Sequence, residues 1–105
     1  MAIAGVKWRG VMKHSYKQIV LNMSEEELRD LLHGEYLRKL ARYRLTDESL
    51  QRKYGLNFEE FEERNIVAEN DFSWDVESDA QEWEAAIDGI RTCLRKLEEL
   101  KVGYR

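Results

Sequence analysis

Proline is absent from this 105-residue chain, and cysteine occurs only once, at Cys93. A single thiol cannot form an intramolecular disulfide, so a disulfide-stapled extracellular fold is excluded. We expect Cys93 to be a buried thiol, because it lies among apolar residues at helical spacing. No apolar run approaches the roughly 18 residues that cross a bilayer, and no basic start leads into the apolar stretch of a signal peptide. The sequence therefore predicts a cytoplasmic protein without a membrane partner.

Residues that commonly carry chemistry are also scarce. The two histidines, His14 and His33, fall in different segments, and the sequence has no Glu-x-x-His, His-x-x-x-His or Cys-x-x-Cys spacing that would place metal ligands on one face. A glycine-rich phosphate loop is missing as well. We therefore expect no catalytic residue, no metal, no cofactor and no small-molecule substrate, and we interpret the chain as a non-enzymatic interaction protein.

Charge, by contrast, is abundant and unevenly distributed. Residues 1–24 contain no acid and have a formal charge of +4, which comes from Lys7, Arg9, Lys13 and Lys17. The remaining 13 bases face 21 acids, so the rest of the chain has a formal charge of −8. Such asymmetry favours an acidic partner, such as nucleic acid, for the first segment and a basic partner for the remainder.

This charge pattern divides the chain into two regions. Residues 1–23 form a basic N-terminal arm or strand, and residues 24–105 form an acidic helical domain. Because the composition becomes that of a compact helical protein after residue 23, a second interpretation stays open, in which the first segment is only a leader.

Periodicity and capping residues predict a mainly α-helical fold. Alternation over Tyr16–Met23 indicates a short strand. Ser24 and Glu27 have the spacing of a capping box, which predicts a helix from about residue 25 to residue 43, with a possible break at His33-Gly34. Thr46 is then expected to cap a short second helix that ends at Gly55.

Two further helices are expected beyond this helical corner around Gly55. Asn57 and Glu60 form a second capping box, so a third helix should start there. Phe72, Trp74 and Val76 alternate with polar residues, which predicts an extended segment. A long amphipathic helix should then run from about Asp79 to Lys101, since its apolar residues recur every three or four positions.

The aromatic segment and the apolar stripe of this last helix are the candidate partner-binding surface. Its residues are Phe72, Trp74, Trp83, Ile87, Ile90, Leu94 and Leu97. The partner would be a basic protein or a second copy of the chain, as in a dimer. The alternative is that these side chains form the protein's own core. A further alternative is that the first segment is only a leader and the domain is a structural homo-oligomeric helical protein.

The segment KQIVLNMSEEEL, residues 17–28, resembles the opening of ribbon-helix-helix repressors. The resemblance implies a DNA-binding regulator in which Gln18, Val20 and Asn22 face DNA while Ile19 and Leu21 face the core. With the four bases of the arm, the candidate nucleic-acid-binding residues are Lys7, Arg9, Lys13, Lys17, Gln18 and Asn22. Valine at position 20 departs from the polar pattern of that family.

Residues 45–100 resemble small archaeal antitoxin-like proteins of type II toxin-antitoxin pairs. The motifs that carry this resemblance are KYGLNFEEF, residues 53–61, and DAQEWEAA, residues 79–86. It implies a protein whose acidic amphipathic region covers a basic ribonuclease toxin. Many such antitoxins also have a DNA-binding end.

Overall fold

A computed structural model describes residues 16–104 of the chain. Residues 16–22 form α1, and the helices that follow are α2 (Glu25–Tyr54), α3 (Phe58–Glu63), α4 (Ile66–Glu69) and α5 (Trp74–Tyr104). The predicted mainly helical fold with a long C-terminal helix is confirmed, and residues 16–104 contain no strand. The chain divides into two compact units, of which the first ends at Leu32 and the second begins at His33.

The predicted strand at Tyr16–Met23 is wrong, because residues 16–22 are helical. The same residues also satisfy helical spacing, since Tyr16, Ile19 and Val20 lie on one helical face. A strand, moreover, needs a neighbouring strand to complete its backbone hydrogen bonds, and the described residues offer none.

The start of α2 is as predicted, but its interior is not. Glu27 N–H donates to Ser24 Oγ at 3.0 Å and Ser24 N–H donates to Glu27 Oε1 at 3.4 Å, which completes the capping box. The helix continues through Gly34 without a break, and Thr46 caps no second helix. Thr46 Oγ1 instead donates to the carbonyl of Arg42, one turn earlier, so its hydroxyl is satisfied inside the helix.

The corner between α2 and α3 has the expected conformation. Gly55 has φ of 69°, in the left-handed region, and its N–H donates to the carbonyl of Gln51 at 2.7 Å. Asn57 then caps α3, because its Oδ1 accepts from Glu60 N–H at 2.9 Å and Glu60 Oε1 accepts from Asn57 N–H at 3.2 Å. The helical corner predicted at Gly55 is therefore confirmed.

The turn after α4 replaces the predicted extended segment, which is wrong. Asp71 N–H donates to the Ala68 carbonyl at 3.0 Å and Phe72 N–H donates to the Val67 carbonyl at 2.9 Å. Both Asp71 and Phe72 have a φ of 54°. These bonds form a Schellman motif, which reverses the chain at a helix end. Ser73 Oγ accepts from the N–H of residue 76 at 3.4 Å, so α5 begins at Trp74, five residues before the expected start.

In the second unit, α2 and α5 run antiparallel. Tyr43 lies against Gly89, Asp47 accepts a hydrogen bond from Trp83, and Tyr54 donates one to Asp79. Successive contacts along α2 from residue 43 to residue 54 therefore involve residues of α5 in decreasing order, from 89 to 79. The short helices α3 and α4 close one end of this pair around the core. The core cluster consists of Leu50, Phe61, Ile66 and Trp83.

Candidate protein-interaction surface

Trp83 lies at the centre of the core and is fully buried. Its ring stacks on Tyr54 with centroids 6.0 Å apart, and the rings of Phe58 and Phe61 lie at 5.5 and 5.0 Å. The indole Nε1–H donates to Asp47 Oδ1 at 2.8 Å. Because the Trp83 side chain is buried and its N–H is hydrogen-bonded within the chain, it is not accessible to a partner.

The other proposed partner-binding residues separate into two groups. Ile87 is half-buried against the core cluster, and Ile90 and Leu97 are also half-buried. The exposed group has relative exposures of 46 to 79%, and its members are Phe72, Trp74 and Leu94. Within the apolar stripe of α5, Trp83 is therefore core, the half-buried residues are partly covered, and the exposed group is accessible for contact with another molecule.

Of the proposed nucleic-acid-binding residues, Lys7, Arg9 and Lys13 lie outside the described residues. Lys17, Gln18 and Asn22 are exposed on α1. Gln18 and Asn22 are four positions apart and share a helical face. A β-ribbon that presents them to a DNA groove is not formed, because residues 16–22 are helical.

A groove of about 400 Å³ lies between α3 and α5, and we call it the acidic groove. Its apolar part is the ring of Phe58 with the side chain of Ile87. Five carboxylates and one guanidinium line it around these, from Glu59, Glu62, Glu63, Glu84, Asp88 and Arg91. Helical spacing explains the arrangement, since Glu59 and Glu63 on α3, and Glu84 and Asp88 on α5, are each four positions apart.

Most of these carboxylates lack a basic neighbour. Within the part of the chain that the structure describes, no lysine or arginine forms an ion pair with Glu59, Glu62, Glu63 or Glu84. Arg91 lies 3.9 Å from Asp88. The groove therefore concentrates negative potential beside an apolar surface, an arrangement that attracts a cation attached to an apolar body.

A second groove of about 220 Å³ adjoins the first and shares Phe58, Glu62 and Glu84 with it. Its remaining lining is mostly apolar and comprises Phe61, Asn65, Ile66, Val67 and Ala80. The two grooves adjoin each other along α5, and the first is mainly acidic whereas the second is mainly apolar. Among residues 16–104, no group of three or more histidine, cysteine or acidic residues is arranged to hold a metal ion.

A polar cluster closes the core at the far end of α2. Lys53 Nζ and Tyr54 Oη both donate to Asp79 Oδ2, at 2.5 and 2.6 Å. Partial burial and the bond to Asp79 raise the pKa of Tyr54 to about 12. Burial opposes ionisation of Asp79, but bonds from Lys53 and Tyr54 outweigh it and lower the pKa of this carboxyl. Because Lys53 and Tyr54 lie on α2 and Asp79 lies on α5, this cluster holds the two helices together.

The acidic groove was not predicted from the sequence. The predicted partner surface comprised Phe72, Trp74 and the apolar stripe of α5, and it included no acid of α3. The sequence signal that could have indicated the groove is the four-residue spacing of acidic residues on α3 and on α5. Like charges at this spacing destabilise a helix unless an opposite charge lies nearby. That α3 lies beside residues 84–91 of α5 depends on the tertiary fold, and no local pattern indicates it.

A scan against protein-family models found no match for this chain. Searches of curated proteins and of solved structures likewise found no similar chain. No helix among residues 16–104 has the length and apolar character needed to cross a membrane.

Proposed function

We propose that the chain is a non-catalytic, antitoxin-like interaction protein that binds a basic protein partner in the acidic groove. The observation that carries this proposal is the combination of four unpaired carboxylates, Glu59, Glu62, Glu63 and Glu84, with an apolar surface between α3 and α5. Like charges that are held together in a folded protein repel each other, and a cationic partner relieves that repulsion.

The groove suits lysine or arginine side chains better than free cations. Their charged heads would lie between the carboxylates, while their aliphatic stems would cover Phe58 and Ile87. A guanidinium can also stack on the face of an aromatic ring such as that of Phe58. The partner would therefore present bases and apolar side chains on one surface, as a basic amphipathic helix does.

Two exposed aromatic residues extend this proposal to the turn before α5. Phe72 and Trp74 are 62% and 79% exposed, so much of each residue is accessible for burial against another molecule. Aromatic residues that become buried on binding commonly supply a large part of the binding energy. We assign them the role of apolar anchors, next to the acidic residues Asp71 and Asp75.

A fluorescent helical peptide with arginine and leucine on one face tests the groove directly. We expect the full chain to bind it at low salt, and Glu62→Gln/Glu84→Gln to weaken binding about tenfold, because two of the facing charges are lost. Glu48→Gln/Glu98→Gln is the matched control, since both of these acids are exposed and neither lines the groove. An equal loss in both variants would mean that net charge, and not the groove, attracts the peptide.

The antitoxin-like assignment needs a test of its own. If the adjacent gene encodes a small basic ribonuclease-like protein, co-expression should yield a complex that survives purification. We expect Phe72→Ala/Trp74→Ala and Glu62→Gln/Glu84→Gln each to weaken that complex and to restore ribonuclease activity. A stable complex that neither variant affects would place the interface elsewhere.

DNA binding is the second candidate function, and it is supported by the +4 charge of residues 1–24 and by the exposure of Lys17 on α1. If the four bases contact phosphates, affinity for duplex DNA falls with salt at a log-log slope of about −0.9 per contact. We therefore expect a slope of about −3 to −4, which glutamine substitution of Lys7, Arg9, Lys13 and Lys17 would abolish. A full chain without salt-dependent DNA binding would contradict this candidate.

A further inference from the structure

One section of α2 has the opposite charge to the rest of the acidic domain. Residues 37–45 contain four bases and no acid, and we call this section the basic belt. Three of the bases, Arg38, Arg42 and Arg44, are exposed. Arg38 pairs with Glu35 at 3.1 Å, but an exposed pair of this kind exchanges partners at little cost.

The basic belt also has an apolar stripe of its own. Leu37, Ala41 and Leu45 follow each other at four-residue spacing and share one helical face. Leu37 and Leu45 are 46% and 62% exposed. The side of α2 that faces the core is a different one, since Leu40 is buried and the ring of Tyr43 lies against α5. The stripe is therefore not covered by this chain's own core.

The belt and the acidic groove complement each other in charge, composition and length. The belt combines basic side chains with exposed leucines, and the groove combines acidic side chains with the apolar side chains of Phe58 and Ile87. At about 1.5 Å per residue, the stripe from Leu37 to Leu45 spans about 12 Å, and residues 84–91 of the groove span about 10 Å. Both surfaces belong to the second unit, so each copy of the chain carries the pair.

We infer that the basic belt of one copy docks in the acidic groove of a second copy, so that the chain associates head to tail. This inference rests on the groove proposed above as a binding site, and it names a second copy as an occupant. Leucines between the bases favour this occupant over nucleic acid, because phosphates offer nothing to an apolar stripe. A basic partner would compete with self-association for the same groove, so free protein would hold its groove covered until the partner arrives.

Charge reversal on each surface tests the docking. Sedimentation velocity at about 50 mM salt, where charges are weakly screened, should show association of the unmodified chain. Arg38→Glu/Arg42→Glu on the belt and Glu62→Lys/Glu84→Lys in the groove should each weaken it at least about tenfold, because like charges then face each other. Arg52→Glu/Arg95→Glu is the matched control for the belt variant, since it makes the same change in net charge at exposed sites outside both surfaces.

Mixing the two reversed variants is the decisive measurement. The acidic belt of one variant then meets the basic groove of the other, so association should return in the mixture and be absent from each variant alone. Circular dichroism verifies that both variants are folded. A monomeric unmodified chain, a mixture that stays monomeric, or equal weakening by the control pair would each overturn the inference, as would a belt variant that loses only binding to duplex DNA.

The two proposals can fail separately. Arg38→Glu/Arg42→Glu leaves every groove residue unchanged, so it should bind the arginine-leucine peptide at least as well as the unmodified chain. A monomeric chain that still binds the peptide in its groove would overturn the head-to-tail inference and leave the proposed function standing. If Glu62→Lys/Glu84→Lys affected neither process, both proposals would be wrong.

Discussion

Alanine substitution at two glycines in helix interiors should change the free energy of unfolding in opposite directions. Gly34 lies in α2 and Gly89 lies in α5, and alanine favours a helix interior over glycine by about 0.5–1 kcal/mol. A Cβ at position 34 would meet only the guanidinium of Arg38, at 3.5 Å, which is ordinary van der Waals contact. We therefore expect Gly34→Ala to raise the free energy of unfolding by about 0.5–1 kcal/mol.

At position 89 the same methyl group has no room. It would lie 2.5 to 2.6 Å from three ring carbons of Tyr43, about 1 Å closer than the usual 3.5–4.0 Å between carbon atoms. The ring or the helix must move, and overpacking of this kind costs about 1–3 kcal/mol. After the gain in helix propensity is subtracted, Gly89→Ala should lower the free energy of unfolding by about 1–2 kcal/mol.

Urea denaturation followed by circular dichroism measures both changes, and a double-mutant cycle isolates the contact. In a Tyr43→Ala background the obstructing ring is gone, so Gly89→Ala should become neutral or stabilising, with a coupling energy of at least about 1 kcal/mol. If Gly89→Ala stabilised the unmodified chain as much as Gly34→Ala does, the close approach of α2 to α5 at this point would be refuted.

Three further perturbations test the core and its surroundings. Asp47→Ala removes the acceptor of the Trp83 indole N–H and should cost about 1–3 kcal/mol in chemical denaturation, whereas Asp47→Asn keeps an oxygen there and should cost less. Burial of Tyr54, together with its bond to Asp79, raises the pKa of its hydroxyl from 10.0 to about 12, so the stability that depends on the neutral hydroxyl is fully present below pH 10 and is lost as pH rises through about 12; a Tyr54→Phe variant with the same alkaline loss of stability would contradict this. Gly55→Ala meets no atom within 4 Å, so its cost of about 1 kcal/mol should come from the left-handed backbone alone, and an unchanged thermal midpoint would exclude that strain.

The elements predicted correctly from sequence are those fixed by nearby residues. The capping boxes at Ser24 and Asn57 and the left-handed Gly55 depend on hydrogen bonds that span three or four positions. Such bonds form in the same way whatever packs around them. The spacing of apolar residues likewise predicted that α5 is a long helix, because its period is a property of the helix itself.

The errors arose where one local pattern fits two structures. Apolar and polar residues alternate around Phe72 as they do in a strand, but Asp71 and Phe72 both adopt a left-handed backbone and Ser73 caps a helix. A non-glycine residue rarely takes positive φ, so sequence reasoning had no reason to expect a turn there. Thr46 is similar, because a threonine hydroxyl can cap a new helix or bond back to the carbonyl four residues earlier.

The residues of the predicted partner surface differ in burial for a more general reason. A periodic apolar stripe shows that a helix must cover one face, but it does not show whether the chain or another molecule covers it. Here Trp83 is fully buried and Ile87 packs against the core cluster, whereas Leu94 on the same stripe is exposed. Substitutions at half-buried positions such as Ile90 therefore alter folding and binding together. The groove acids Glu62 and Glu84 are exposed, and neither forms an ion pair within residues 16–104. Substitutions there should therefore change binding while the free energy of unfolding stays level or rises.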